Sequence, residues 1–114
     1  MKELSFDPES CAVARVGKIL HGKWTMVIIY TLSEKTLRFS ELHRLLPHIK
    51  EANLTKDLRI LEGAGIVHRT VYPVVPPKVE YSLTEMGKSF LPIIDEINAW
   101  AEKYTTPETS TPVE

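Results

Sequence analysis

Three side chains on one short stretch carry the most specific chemistry in this chain. Asn53, Lys56 and Arg59 recur at every third position of the segment ANLTKDLRILE. In a helix they would share the side that also holds Ala52, opposite Leu54, Leu58 and Leu61 at i, i+4 and i+7. Asparagine can pair through two hydrogen bonds with adenine, and arginine with guanine, so Asn53 and Arg59 could specify a base sequence. Lys56 suits a phosphate contact, and Ala52 leaves room for a close approach. The commonplace alternative is a solvated helix face. Cys11 offers a different chemistry, because an accessible thiolate reacts with oxidants and electrophiles. It would stand at the start of a first helix with Arg15 one turn on; a small buried residue at a subunit seam is the alternative. The sequence offers no nucleophile–base pair, no metal-ligand spacing of Cys, His and carboxylates, and no glycine-rich phosphate loop. Neither an enzyme, a cofactor nor a metal is expected.

The elements that would hold these residues can be read from apolar spacing and breakers. Residues 11 to 20 repeat Val13, Val16 and Leu20 as a short amphipathic helix, broken at His21-Gly22. The segment KWTMVIIYTL is apolar on most sides and predicts a helix buried in the centre, although its β-branched run would also suit a strand. RFSELHRLL places Phe39, Leu42, Leu45 and Leu46 on one side, with Ser40, Glu41, His43 and Arg44 outside. Pro47 ends that helix, since it disfavours helical geometry at the residue before it. The ANLTKDLRILE helix starts about Lys50 and stops at Gly63 and Gly65.

Ile66 to Val71 and Val79 to Leu83 then predict two strands around Pro73, Pro76 and Pro77, prolines that belong in a loop or at its edges. Lys78 falls at or beside the tip. A last helix opens on Thr84-Glu85, a capping threonine followed by a first-turn acid. Its apolar stripe is Met86, Phe90, Ile93, Ile94, Ile97, Trp100 and Tyr104, interrupted by Pro92, which should kink or restart it. Helix, turn, helix and hairpin together predict an α+β winged helix-turn-helix domain with a two-stranded wing and flanking terminal helices. It would span 11–104, between an N-terminal arm over 1–10 and a disordered tail over 105–114.

The 114 residues suit one domain, and 43% apolar with 25% charged residues is ordinary for a soluble protein. The longest apolar run, Met26 to Tyr30, is far short of the roughly 20 residues of a membrane span. No apolar signal segment opens the sequence, and a single cysteine fits a reducing compartment, so a cytoplasmic protein is expected. The net charge of −1 is unevenly spread. Residues 38–81 carry seven Lys/Arg against five Asp/Glu, whereas 82–114 carry two against six. The acidity sits at the C-terminus and the helix–turn–helix stretch is mildly basic, a modest footprint for nucleic acid.

Cys11, the GKWT at 22–25, RFSEL at 38–42, LTKDLRILE at 54–62 and VYPVVPPKVEYSLTEMGKS at 71–89 make the chain resemble the HxlR family of bacterial and archaeal winged-helix transcriptional regulators. The resemblance covers about residues 11 to 100. It implies a homodimer assembled through the terminal helices and bound to double-stranded DNA at a palindromic operator. The dimer-interface candidates are then Val13, Val16, Leu20, Ile94, Ile97, Trp100 and Tyr104. Beside the reading face, it implies backbone or wing contacts by Lys23, Arg38, Ser40, Lys50 and Lys78. Several such proteins use the cysteine corresponding to Cys11 as a sensor, which makes a small electrophile or oxidant the expected effector. An aromatic effector in a pocket lined by Trp24, Tyr30, Phe90 or Trp100 is the other option. Lys50 stands where the family usually has Ser or Thr, and Asp57 where a basic or amide residue is common. These departures, with the weak net charge, motivate one competing reading: a winged-helix protein-interaction module that has lost most DNA affinity.

Overall fold

Branched aliphatic side chains between Ile28 and Ile94 meet in one core, and their spacing explains the longer elements. The computed structural model describes residues 10–107. Of the expected arm over 1–10, residues 1–9, and of the expected tail over 105–114, residues 108–114, lie outside the described residues. The elements run α1 (Ala12–Val16), α2 (Thr25–Thr31), β1 (Leu37–Arg38), α3 (Phe39–Leu45), α4 (Glu51–Gly63), β2 (Val67–Tyr72), β3 (Lys78–Leu83), α5 (Glu85–Ser89) and α6 (Leu91–Tyr104). Ile28 and Ile29 of α2, Leu42 of α3 and Leu54, Leu58 and Leu61 of α4 are the buried centre.

The β-branched run of α2 is helical because helical geometry turns Ile28, Ile29 and Leu32 onto one core, a tertiary demand that overrides propensity. It is not buried all round, since Val27 and Tyr30 are exposed. In α3 the expected apolar face is also narrower. Leu45 is 55% exposed, because the helix ends there and the chain turns Leu46 and Ile49 inward instead. The His43 ring nitrogen Nε2, 3.0 Å from the Ile49 carbonyl oxygen, ties that turn to α3. Lys50 is the N-cap of α4 and makes no side-chain capping bond, as a lysine must. Gly65, with φ of +84°, turns the chain from α4 into β2.

The sheet has three antiparallel strands in the order β1-β3-β2, one more than the two-stranded wing expected from sequence. β1 pairs Leu37 with Tyr81 and Arg38 with Glu80. Two residues are too few to leave an alternation signal, so its existence depends on β3 offering an edge. The hairpin runs from Val67↔Leu83 out to Tyr72↔Lys78, which leaves residues 73–77 as its tip. Thr84 caps α5 by accepting the Gly87 N–H at 3.1 Å. Gly87 itself touches the Ile66 carbonyl so closely that a Cβ would collide with it. Pro92 lies in the first turn of α6, where a missing N–H costs nothing, and the helix restarts there.

Candidate nucleic-acid interface

The polar side of α4 is set by its leucines. With Leu54, Leu58 and Leu61 turned into the core, Glu51, Ala52, Asn53, Lys56 and Arg59 are left exposed. They do not all look the same way. At about 100° per residue Asn53 and Arg59 lie about 120° apart around the helix, with Ala52 and Lys56 between them. Arg59 leans toward the sheet: with Thr55, Leu58 and Glu62 of α4 it lines a cleft of about 350 Å³ whose other wall is Arg69 of β2 and Tyr81 of β3. Asn53 leans away from that cleft. Asp57 is half-buried on the flank of the helix.

The other expected DNA contacts lie on separate segments of the chain. Arg38 and Ser40 are exposed at the start of α3, where the Arg38 backbone N–H donates to Glu41 Oε1 at 2.8 Å. Lys23 is exposed, its Nζ 5.6 Å from the Trp24 ring centre. Lys78 stands beside the wing tip. It is the first residue of β3, paired with Tyr72, and its Nζ lies 3.4 Å from Glu80 and 4.8 Å from the Tyr72 ring. Glu80 also accepts the Tyr72 hydroxyl hydrogen bond at 3.0 Å, which together with the carboxylate charge raises the phenol pKa above its ordinary value of 10.0. The ammonium is therefore partly neutralised, and the tip beyond it is Pro73 to Pro77 with Val75 99% exposed. Arg69 escaped the sequence reading. Its signal was the alternation of β2, which puts it on the same face as core-facing Val67.

A second exposed surface is apolar. Val13 of α1 is 76% exposed and Trp100 of α6 is 61% exposed, and Val16, Ile93, Ile97 and Tyr104 are exposed with them. Leu20 is half-buried beside a groove of about 160 Å³ formed with Val16, Ile19, Ile66, Met86, Phe90 and Ile93. Ile94, expected in the same stripe, is instead 7% exposed in the core, because α6 turns it onto the domain while its neighbours face out. Cys11, the N-cap of α1, is partly exposed and makes no side-chain capping bond. Two of the aromatic residues named for an effector pocket line apolar grooves. Phe90 lines that groove, and Tyr30 lines another between α2 and α6 with Met26, Val27 and Ile97. Among the described residues no three His, Cys, Asp or Glu side chains could hold a metal, and no helix is long and apolar enough to cross a membrane.

Known proteins match this arrangement. The sequence profile described as HxlR-like helix-turn-helix matches residues 19–109. An uncharacterized HTH-type transcriptional regulator of Methanothermobacter thermautotrophicus is 43% identical over 102 residues, which cover 90% of this chain and 78% of that one. A crystal structure of a MarR-family transcriptional regulator from Porphyromonas gingivalis W83 has a TM-score of 0.81 at 40% identity, over 90% of this chain and 99% of that chain. The redox regulator HypR in its reduced form has a TM-score of 0.75 at 44% identity, over 80% of this chain and 90% of that chain. Its oxidized form has a TM-score of 0.76 at 43% identity, over 84% and 99%. With its winged helix-turn-helix and a family match over most of its length, the chain belongs to the HxlR-like helix-turn-helix family of transcriptional regulators, which are not enzymes.

Proposed function

We propose that the protein is a sequence-specific DNA-binding regulator that acts as a homodimer on an inverted-repeat operator. The observation that carries this reading is α4, whose leucines are buried while Ala52, Asn53, Lys56 and Arg59 are left to solvent. Such a face fits a major groove, where Asn53 reads a base edge and Lys56 holds phosphate. Arg38, Ser40, Lys23 and Lys50 add backbone contacts. The apolar side chains of α1 and α6 supply the surface on which a second copy sits, and paired heads then meet successive major grooves about 34 Å apart. A regulator of this kind works in the cytoplasm, where the genome is.

Cys11 gives the dimer a thiol that an oxidant or small electrophile can modify. Two things support this: its partial exposure beside the apolar residues of α1, and the similarity to a redox regulator solved in reduced and oxidized forms. Modification there changes how the terminal helices meet and so the spacing of the two heads. If treating the wild type with diamide or a quinone leaves DNA affinity unchanged, the sensing role is wrong.

The neutralisation of Lys78 by Glu80 favours one competing reading, a protein-interaction module with little DNA affinity. A salt titration with fragments selected from genomic DNA separates the two. A dimer that neutralises several phosphates gives a steep negative slope of log K against log salt, about 0.9 per phosphate. A flat slope, or no fragment bound at all, would favour the interaction module.

A further inference from the structure

We infer that Arg59 and Arg69 form one phosphate seat, a cleft between α4 and the root of the wing that grips the DNA backbone. Arg59 is thereby a holder of backbone rather than a reader of bases. This rests on the DNA-binding reading above.

The placement of Arg69 follows from strand alternation. Val67, Arg69 and Val71 share one face of β2, with Leu83, Tyr81 and Val79 as their partners on β3. Val67 and Leu83 are buried in the core that α4 covers, whereas Val71 is exposed. Arg69 and Tyr81 therefore occupy the step where the sheet leaves the core, beside the α4 flank that carries Thr55, Arg59 and Glu62. All of them line the one cleft of about 350 Å³. That is on the order of ten times the share of a water molecule in the liquid, room for a phosphate group with part of its hydration.

The charges are also poised for an anion. Two arginines and one acid, Glu62, line the cleft, and among the described residues neither arginine lies within ion-pair distance of an acid. Each guanidinium retains its fork of N–H donors, which matches phosphate oxygens in a bidentate way. Tyr81 and Thr55 add hydroxyls that can donate to the same anion. Lys78 makes the contrast, since its ammonium is already engaged by Glu80 and Tyr72. The wing of this chain thus holds DNA by its root. Because a phosphate contact carries no sequence information, the seat sets affinity and register without choosing bases.

The test uses the full chain and the genomic fragments that the wild type selects, with Kd measured from 50 to 200 mM salt. Arg69→Gln and Arg59→Gln each weaken binding on the order of tenfold on all selected sequences. The double variant loses about 0.9 of the log–log slope, one phosphate, and the single losses do not add to twice that. Arg69→Lys restores most of the slope, which separates lost charge from lost folding. Glu62→Gln tightens binding, and the preferred sequences stay the same in every variant. A steep wild-type slope with an equally steep Arg69→Gln slope overturns the seat alone. So does a changed base preference in Arg59→Gln. A wild type with no salt-dependent affinity for any fragment overturns the DNA-binding reading and the seat together.

Discussion

Two helices of nearly equal length, α4 with 13 residues and α6 with 14, leave opposite kinds of surface exposed. In α4 three leucines are buried, and what remains outside is small, polar or charged, with Glu51 and Glu62 beside Lys56 and Arg59. In α6 only Ile94 is buried, so Ile93, Ile97, Trp100 and Tyr104 remain in the open. The apolar demand of α4 is satisfied inside one chain and that of α6 is not. A contiguous exposed apolar surface of this kind is characteristic of a protein contact, and a mixed polar and cationic face is what a DNA groove accepts. Exposure alone does not identify a functional face; the chemistry left exposed does.

The contrast can be broken at its base or at either face. Leu58→Ala should have the largest effect, about 2–5 kcal/mol of stability, because it opens a cavity under the polar face of α4. Thermal unfolding measures it, and a loss under 1 kcal/mol would mean α4 is not seated as described. Trp100→Asp should leave the fold intact and loosen self-association by roughly 30-fold or more, the size of an interface hot spot. Sedimentation reads that change, and an unaltered monomer–dimer equilibrium would remove α6 from the interface. Asn53→Ala should leave association untouched and cost about 1–3 kcal/mol of discrimination at one base pair. If the fragments selected by that variant match those of the wild type, Asn53 is not a reader. Lys50→Ser should be the mildest change, a gain of about 1 kcal/mol in thermal stability, because serine can accept the free N–H groups that lysine leaves open at the start of α4.

Helix α4 was legible in the sequence because its leucines and its polar side repeat with one period and Gly63 marks its end. Thr84 and Pro92 were equally readable, since a capping hydroxyl and a ring without an N–H act locally. What escaped depends on partners distant in sequence. β1 exists only because β3 offers it an edge, and two residues carry no period. Leu45 and Ile94 each sat in a plausible apolar stripe, yet the end of α3 exposes one and the packing of α6 buries the other. Lys78 does stand beside the wing tip, and its pairing with Glu80, two residues on and on the same face of β3, is a local one that strand alternation could have shown. Arg69 was hidden for the opposite reason, since a charged residue on a core-facing register of a strand looks unremarkable until the neighbouring helix supplies Arg59.

The most direct measurement of the central claim is a hydroxyl-radical footprint of the purified protein on its selected genomic fragments, with the mass of the complex measured in parallel. The account predicts two chains per site and two protected half-sites, related by twofold symmetry and centred about 10–10.5 base pairs apart on one face of the duplex. One protected half-site bound by one chain would contradict it.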